Sequence, residues 1–314
     1  MNTNLDRRAR RWAALVAVAA LACTTAACGG GSKSSESSGG TQAPASGASA
    51  AAAAKPDPAV TKLVPAGVKS KGTLVVATDP TYAPDEFVAQ DGKTIVGFDP
   101  ELSTALASTM GLRVKVVIAT FDSIIPGLAA KKYDLALSSH NDTKEREKVV
   151  DFVDYFAAGS SFYTRAQGGA AIDSLDALCG HKVAIEKGTT QADDAIAQDR
   201  KCKAAGKPGV TSLVFPDQNG ANLALSSGRA EVGMADTPVA AYIVKQSGGQ
   251  FKLVGQPYAV EPHGIAIPKD SGLARPVLAA LKSLMADRVY HRILAKWGVS
   301  DIAIKTPTIN GATS

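Results

Sequence analysis

Between about residue 71 and residue 304, short apolar segments alternate with amphipathic ones, and this alternation restricts the possible folds more than any other feature. Short apolar runs bounded by polar residues predict strands, and the longer periodic segments between them predict helices. The predicted strands cover residues 73–78, 113–118, 133–137, 182–186, 210–215 and 231–235. The predicted helices cover residues 100–110, 123–132, 219–227 and a pair within 273–297, and one more opens at residue 188. Strands separated by helices favour parallel pairing, so we predict an α/β fold.

One pattern occurs twice within this alternation. Residues 128–139 (LAAKKYDLALSS) align without gaps to residues 225–236 (LSSGRAEVGMAD). In both copies a helix end and a basic residue precede an acid, an apolar strand and a polar residue at the strand end. We infer two related α/β lobes whose strand ends face one another across a cleft. The alternative is a chance similarity between two helix–strand units.

Polar side chains follow the predicted strands at four places. These are Asp79, residues 138–146 (SSHNDTKER), residues 186–191 (EKGTTQ) and Asp236. Open α/β sheets bind their ligands at the carboxyl ends of strands, and helix N-termini offer free N–H groups to anions. The four strand ends are therefore the candidate binding site.

Arg146 is the most informative residue of these strand ends. Asp142 and Glu145 predict a helix N-cap and its reciprocal partner, which places Arg146 in the first helical turn, against the helix macrodipole. A bound carboxylate would explain a cation there, because a guanidinium grips a carboxylate bidentately. The alternative is a solvated arginine paired with Asp142 or Glu145.

The first 28 residues have the pattern of an export signal. Arginines at positions 7, 8, 10 and 11 precede an apolar run from Trp12 to Ala27. This run is too short for a stable membrane span and predicts a secretory signal peptide over residues 1–27. Small residues precede Cys28, as in bacterial lipoprotein signals, in which the cysteine becomes the lipidated N-terminus. Cys23 is a second candidate, and ordinary cleavage without a lipid is the other alternative.

Charge and composition set limits on the rest of the chain. Removal of residues 1–27 would leave 30 basic and 28 acidic residues, so the net charge of +5 in the full chain predicts no nucleic-acid partner. Residues 28–70 are mostly Gly, Ser, Ala, Thr, Gln and Pro without apolar periodicity. They predict a disordered tether that would span about 35 Å on average.

Two further cysteines, Cys179 and Cys202, form an even pair in a domain predicted to be exported. We therefore expect a disulfide between them, which would contribute roughly 3 kcal/mol in the chain-entropy model. No histidine or second cysteine lies at ligand spacing near either residue, so we expect no metal site there.

Five motifs, taken in order, resemble the polar amino-acid receptors of ABC importers, the family 3 solute-binding proteins. They are residues 78–84 (TDPTYAP) with 97–102 (GFDPEL), 121–128 (FDSIIPGL), 138–146, 187–191 (KGTTQ) and Asp236. The similarity extends over about residues 72–300. It implies a two-lobed periplasmic-binding-protein type II fold, with hinged lobes that close on one amino acid.

The resemblance also implies a division of the folded region. Lobe 1 would comprise residues 71–158 plus 263–305, and lobe 2 would comprise residues 159–262. Residues 306–314 would form a C-terminal tail. The helix pair within residues 273–297 would pack on a lobe.

The resemblance assigns a role to each of the polar strand ends. In this family, the arginine that matches Arg146 grips the α-carboxylate of the ligand, and the acid that matches Asp236 takes the α-ammonium. The groups implied to assist the arginine are Ser138, Ser139, Asn141, Thr189 and Thr190. A zwitterion needs one cation and one anion at fixed positions, so this division is physically reasonable.

The pocket for the ligand side chain is implied to contain Tyr82 and Phe121 as flanking rings and Asp79 as a carboxylate. The sequence departs from the family at Asn141, where serine is common, and at Glu186, where an apolar or neutral residue is common. With Asp79 and Glu186 both near the pocket, we predict a basic or amide amino acid as ligand and the exclusion of aspartate and glutamate. The alternative is that Glu186 points to solvent and Asp79 binds a water.

The resemblance implies a monomeric binding protein that serves the membrane permease of an ABC importer without a cofactor. It would be lipid-anchored on the extracellular face of the cell membrane. The alternative is an exported enzyme on the same fold, such as a cyclohexadienyl dehydratase, for which His140 is the only histidine within a motif. A sensor ectodomain is a third alternative, and it would require a second membrane span or a signalling domain.

Overall fold

The computed structural model describes residues 54–314, so the predicted signal peptide, Cys23, Cys28 and the first part of the predicted tether lie outside the described residues. The strands of the described region are β1 Thr73–Thr78, β2 Thr81–Tyr82, β3 Glu86–Val88, β4 Ile95–Val96, β5 Arg113–Ile118, β6 Leu135–Asn141, β7 Val150–Arg165, β8 Lys182–Glu186, β9 Thr211–Phe215, β10 Val232–Asp236 and β11 Phe251–Pro268. Its α-helices are α1 Pro58–Leu63, α2 Ala66–Lys71, α3 Phe98–Thr109, α4 Phe121–Ala129, α5 Lys144–Glu147, α6 Thr190–Ala204, α7 Gln218–Ser226, α8 Thr237–Gln246, α9 Ala274–Ala286 and α10 Val289–Trp297.

The short strands of the main sheet are the elements that the sequence predicts best. The predicted limits of β1, β5 and β8 agree with the observed ones, and those of β6, β9 and β10 are shifted. The C-terminal helix pair is also confirmed, as α9 and α10. These elements combine an apolar run with a nearby polar boundary, so local sequence is sufficient to define them.

The main sheet has eight strands in the order β5-β1-β6-β11-β7-β10-β8-β9. On each side of the central antiparallel pair, β11 and β7, the remaining strands are parallel to one another. Outward from this pair, β6, β1 and β5 correspond to β10, β8 and β9. The two copies of the repeated pattern end in β6 and β10, which occupy equivalent places. The prediction of two related α/β lobes is therefore confirmed.

The two long central strands were not predicted as strands. β7 and β11 pair antiparallel along their length, with register shifts between Val254 and Tyr258, between Tyr258 and Glu261, and at His263. Polar residues interrupt the apolar pattern of β7, and polar residues and prolines interrupt that of β11, so neither strand shows a regular alternation or a long continuous apolar run. The two strands pair at the centre of the sheet, and the backbone hydrogen bonds between them join its two halves.

Two large apolar cores lie in the two halves of the fold. One packs α3, α9 and α10 against the sheet and includes Leu106, Leu281 and Ile293. The other surrounds α6 and β8 and includes Ile185 and Ala195. Separate cores are expected for two lobes. The residue boundaries of the lobes stay a prediction.

The predicted tether is too long, because the fold already begins with α1. Asp57 caps this helix by accepting a hydrogen bond from the N–H of Ala59, and it also accepts one from Ser283 on α9. Val60 and Val64 are each 3% exposed and belong to the core around α9. Two apolar residues in an alanine-rich segment give no periodicity, so only their distant packing partners reveal that this segment folds.

The C-terminal tail packs along β7 and α5. Ile309 forms a bridge opposite Val153, and the side chain of Asn310 accepts a hydrogen bond from the backbone of Phe152. The N–H of Lys144 donates to the carbonyl oxygen of Ser314 over 2.8 Å. The tail therefore supports the strand end that precedes Arg146.

The predicted disulfide is present between Cys179 and Cys202, with their Cα atoms 5.6 Å apart. It joins the loop before β8 to the last turn of α6. In residues 54–314, no helix combines the length and the apolar character that crossing a membrane requires.

Candidate functional site

A cleft with about 270 Å³ of empty space lies between the strand ends of the two halves. The described residues that line it are Asp79, Tyr82, Glu86, Phe121, Ser139, Asn141, Glu186, Thr189, Gln191 and Asp236. Eight of them are among the eleven predicted ligand-binding residues. The structure thus brings together side chains that are up to 157 positions apart in the sequence. Their roles toward a ligand stay predictions.

Two of the three remaining predicted residues, Ser138 and Thr190, lie directly behind the lining. The hydroxyl of Ser138 donates to Glu86 over 2.7 Å and accepts from the N–H of Asp79. The hydroxyl of Thr190 donates to the side-chain oxygen of Asn141 over 3.1 Å. Both residues therefore orient groups that face the cleft.

Arg146, the third, lies on α5 at the edge of the cleft. Its guanidinium donates to the carbonyl oxygen of Asn141 over 3.0 Å and to that of Gly188 over 2.9 Å. The guanidinium carbon also lies 5.7 Å from the centre of the Phe121 ring. These two bonds use only part of the five-donor fork, so donors are left for a ligand anion.

The predicted cap of α5 is wrong. Thr143 is the N-cap, and its hydroxyl accepts from the N–H of Arg146. Glu145 pairs instead with Lys148. Asp142 is fully buried, and its burial, together with the neighbouring Asp154, raises its pKa to about 8. Asn141 still belongs to β6, and the N–H of Asp142 donates to the carbonyl oxygen of Pro262 on β11, so the helix starts one residue later than the sequence motif indicates.

Asp236 ends β10 and is 2% exposed. One carboxylate oxygen accepts from Gln191 over 2.8 Å, and the other lies 3.2 Å from Nε2 of His263. Its backbone N–H donates to the hydroxyl of Tyr82 over 2.9 Å. The carboxylate is therefore held in place from two sides, and it retains lone pairs for a further donor.

Several contacts join the two halves across the cleft. The bonds from Arg146 to Gly188 and from Thr190 to Asn141 are two of them, and Lys187 forms an ion pair with Asp122 over 2.8 Å. Gly188 has a φ of +82°, and a Cβ there would lie 3.0 Å from Cβ of Asp122. A glycine thus permits both the left-handed turn and the close approach.

Sequence reasoning gave no ligand-binding role to two lining residues, Glu86 and Gln191, although Gln191 ends the predicted 186–191 segment. Glu86 is fully buried on the short strand β3, and Gln191 lies in the first turn of α6. Glu86 was identifiable only as one of two adjacent acids after the residue 78–84 motif. His263, which contacts Asp236, lies in β11, outside every motif, so no local signal identified it.

The cleft is strongly acidic, and burial controls the protonation of its carboxyl groups. Burial is the largest cause that raises the pKa of Asp79, and it raises the pKa of Glu86 well above its usual range with help from Asp99 and Asp85. Burial and the neighbouring Asp79 raise the pKa of Glu186 to about 9. Glu186 lines the cleft at 2% exposure, so the alternative in which it points to solvent is wrong.

His140 does not line the cleft. It is 1% exposed, and its ring stacks on Phe121 with centroids 4.3 Å apart. Burial, followed by the charges of Arg146 and His263, lowers its pKa well below the usual value. His140 is therefore a neutral packing partner of Phe121 at neutral pH.

Known proteins with similar sequences are amino-acid-binding proteins. The arginine-binding protein ArgT of Corynebacterium glutamicum is 32% identical over 256 residues, which cover 81% of this chain and 84% of that protein. The lysine/arginine/ornithine-binding periplasmic protein of Escherichia coli is 29% identical over 72% of this chain and 87% of its own length.

Solved structures that are similar to this chain also include amino-acid-binding proteins. An ancestral arginine-binding protein bound to arginine has a TM-score of 0.66 at 36% identity, over 72% of this chain and 98% of that one. An ancestral amino-acid-binding protein, a precursor of cyclohexadienyl dehydratase, has a TM-score of 0.66 at 34% identity, over 74% and 97%. The sequence profile of the bacterial extracellular solute-binding proteins, family 3, matches residues 74–300. Fold, cleft and profile agree, and the chain belongs to the family 3 bacterial extracellular solute-binding proteins.

Proposed function

We propose that this chain is the substrate-binding lipoprotein of an ABC importer and that its cleft binds a single basic amino acid, with an amide amino acid as the second candidate. The observation that carries this proposal is the charge of the cleft. Four of its lining residues, Asp79, Glu86, Glu186 and Asp236, carry carboxyl groups that are at most 4% exposed. Among the described lining residues there is no lysine, arginine or histidine. A cationic ligand supplies the missing charge.

The ligand main chain would be held between Arg146 and Asp236. The unused donors of the Arg146 guanidinium would bind the α-carboxylate, with the N-terminus of α6 at Thr189 and Thr190 as a second source of donors. The α-ammonium would donate to Asp236, whose position is already set by Gln191. This clamp recognises any amino acid, so it does not select among side chains.

Selection would come from the opposite end of the cleft. Asp79, Glu86 and Glu186 would face the ligand side chain, and the rings of Tyr82 and Phe121 would flank it. A guanidinium or ammonium there gains charge pairing and a cation–π contact of about 0.5–2 kcal/mol. A carboxylate would meet like charges at a desolvated site, so aspartate and glutamate are excluded.

The ligands of the relatives support this class. Arginine appears in the names of the proteins from C. glutamicum and E. coli, and the ancestral arginine-binding protein has arginine bound. The amide candidate has support as well, because another structure of an ancestral arginine-binding protein has glutamine bound. Arginine is therefore the first ligand to test, and glutamine is the second.

A thermal-shift screen of the twenty amino acids, ornithine and citrulline tests the proposal. A ligand at a thousand times its dissociation constant stabilises the protein by about 4 kcal/mol. For a chain of this size that corresponds to a rise in Tm of about 8–16 °C. We expect the largest rises with arginine, lysine or ornithine. A large rise with glutamate and none with basic amino acids or glutamine would refute the charge-based reasoning.

An exported dehydratase is the alternative function, and one observation favours it. With a pKa of about 9, Glu186 is protonated at neutral pH, and it lines the cleft, as a general acid must. The acidic cleft opposes this alternative, because the substrate prephenate carries two carboxylates. Incubation with prephenate or arogenate and analysis of the products decides between the two functions, since a binding protein forms none.

The membrane anchor is part of the same proposal. We propose that Cys28 carries the lipid on the extracellular face of the membrane and that the chain delivers its ligand to a membrane permease. The lobes would have the boundaries expected from the sequence, with hinges where β7 and β11 cross. In a bacterial host, a Cys28→Ser variant should leave the membrane fraction. A variant that stays lipid-modified would shift the anchor to Cys23.

A further inference from the structure

Glu186 is the least compensated of the cleft carboxyl groups. Asp79 accepts a hydrogen bond from the N–H of Phe121, and Glu86 accepts one from Ser138. By contrast, Oε1 of Glu186 has no hydrogen-bond partner among the described residues, although the side chain is 2% exposed. A buried ionised carboxylate without donors or a counter-charge is strongly unfavourable.

The ionisable groups that face Glu186 do not provide a counter-charge. Four acids act on it from four elements, namely Asp79 after β1, Asp122 on α4, Asp217 before α7 and Asp236 on β10. The hydroxyls of Tyr82 and Tyr163 face it from β2 and β7. All of these groups are anionic or neutral. The four acids disfavour a negative charge on Glu186, in the same direction as its burial, and the neutral hydroxyls supply no positive charge.

The basic side chains beside the cleft contact other groups. Lys187 follows Glu186 in the chain but pairs with Asp122. Arg146 donates to the carbonyl oxygens of Asn141 and Gly188, and His263 faces Asp236. The lining of the cleft thus contains four carboxyl groups and, among the described residues, no basic side chain. A proton on Glu186 balances this arrangement until a ligand brings a positive charge.

We propose that Glu186 carries a proton in the ligand-free protein and releases it when the cationic side chain of the ligand enters, so that binding is coupled to the release of about one proton. This inference rests on the proposed binding of a basic amino acid. The O–H bond of Glu186 breaks, the proton passes to solvent, and the carboxylate pairs with the cation of the ligand. The charge on the ligand does not change.

The coupling determines how affinity depends on pH. A bound cation lowers the pKa of Glu186 from its ligand-free value of about 9, so the ligand favours the ionised form. Below that pKa, the free-energy cost of ionising Glu186 falls as the pH rises. The affinity for arginine should therefore rise between pH 6 and pH 8, by up to about tenfold per unit. Citrulline has nearly the same shape without the charge, and its affinity should stay flat.

Titration calorimetry measures the released protons directly. Arginine is titrated into the protein at pH 7 in phosphate, HEPES and Tris, which have different enthalpies of ionisation. The slope of observed enthalpy against buffer enthalpy should correspond to about one proton released for arginine and to none for citrulline. Glu186→Gln should lose the proton release and bind arginine about ten- to a hundredfold more weakly at pH 8. Asp287→Asn, the same change at an exposed position on the C-terminal side of α9, should behave as the unmodified protein.

The possible outcomes separate this inference from the proposed function. Tight binding of arginine without any buffer dependence would overturn the inference and leave the function standing. Proton release that persists in Glu186→Gln would also overturn it, by assigning the proton to another carboxyl group. If glutamine binds and no basic amino acid does, the inference is overturned and the receptor function stands on its second candidate. If neither a basic amino acid nor glutamine binds, both are overturned. Should Glu186→Gln fail to fold, the unmodified protein still tests the coupling. Equal slopes of observed enthalpy against buffer enthalpy for arginine and citrulline would refute it.

Discussion

The clamp on the ligand α-carboxylate is best tested by removing the guanidinium of Arg146. In the structure this group holds two carbonyl oxygens, and one of them, on Gly188, belongs to the opposite side of the cleft. Arg146→Ala removes the proposed ligand contact and this bond across the cleft together. Truncating one partner of a buried, hydrogen-bonded charge pair costs about 2–5 kcal/mol. The dissociation constant should therefore rise by about thirtyfold to several thousandfold.

The same substitution should affect folding very little. Arg146 lies on a four-residue helix and is partly exposed, so the loss of its two hydrogen bonds to carbonyl oxygens should lower the free energy of unfolding by only about 1 kcal/mol. Arg146→Lys keeps the charge but loses the fork, so its affinity should fall between those of the other two proteins.

Calorimetric titration with arginine, together with thermal unfolding in its absence, separates the two effects. Arg275→Ala, at an exposed position of α9, serves as the matched control. The clamp is wrong if Arg146→Ala binds arginine within about threefold of the control and its Tm stays within a few degrees of that of the control.

Two further perturbations have clear expected outcomes. Replacing both Cys179 and Cys202 with serine should lower the free energy of unfolding by about 3 kcal/mol, because the disulfide closes a loop with a sequence separation of 23. An unchanged Tm would contradict this, and so would free thiols in the denatured, unreduced protein that lacks residues 1–28 and retains both cysteines. Gly188→Ala should reduce stability by about 1 kcal/mol through its left-handed φ, and it should weaken ligand binding further because the new Cβ meets Asp122 when the halves approach. Retention of full affinity in Gly188→Ala would show that the approach to Asp122 is not needed for binding.

Local sequence determined the strands and helices that form the two halves of the fold. Residues 73–78, 113–118 and 182–186 are apolar runs with polar limits, and they fold as predicted because these local limits define where each strand begins and ends. The repeat between residues 128–139 and 225–236 was sufficient to predict two related lobes. Most of the site was also predictable, because polar side chains at strand ends meet at the same edge of a sheet.

Tertiary structure alone decided the elements whose partners are distant in the chain. β7 and β11 are strands because they pair with each other about a hundred residues apart, and their own side-chain pattern does not show it. α1 is ordered because Val60 and Val64 enter a core made by the C-terminal helices. A composition that is poor in apolar residues cannot reveal such packing, which is why this segment was assigned to the tether.

The sequence by itself indicated eight of the ten residues that line the cleft, whereas the charge state of the cleft depended on the tertiary structure. Asp79, Glu186 and Asp236 were identifiable as strand-end acids. Only folding placed Glu86 beside them and His263 against Asp236. The protonation of a carboxyl group depends on its burial and on every charge within several ångströms, and these are properties of three-dimensional neighbours. Sequence therefore indicated an acidic pocket, and the fold determined that burial raises the pKa of its carboxyl groups Asp79, Glu86 and Glu186.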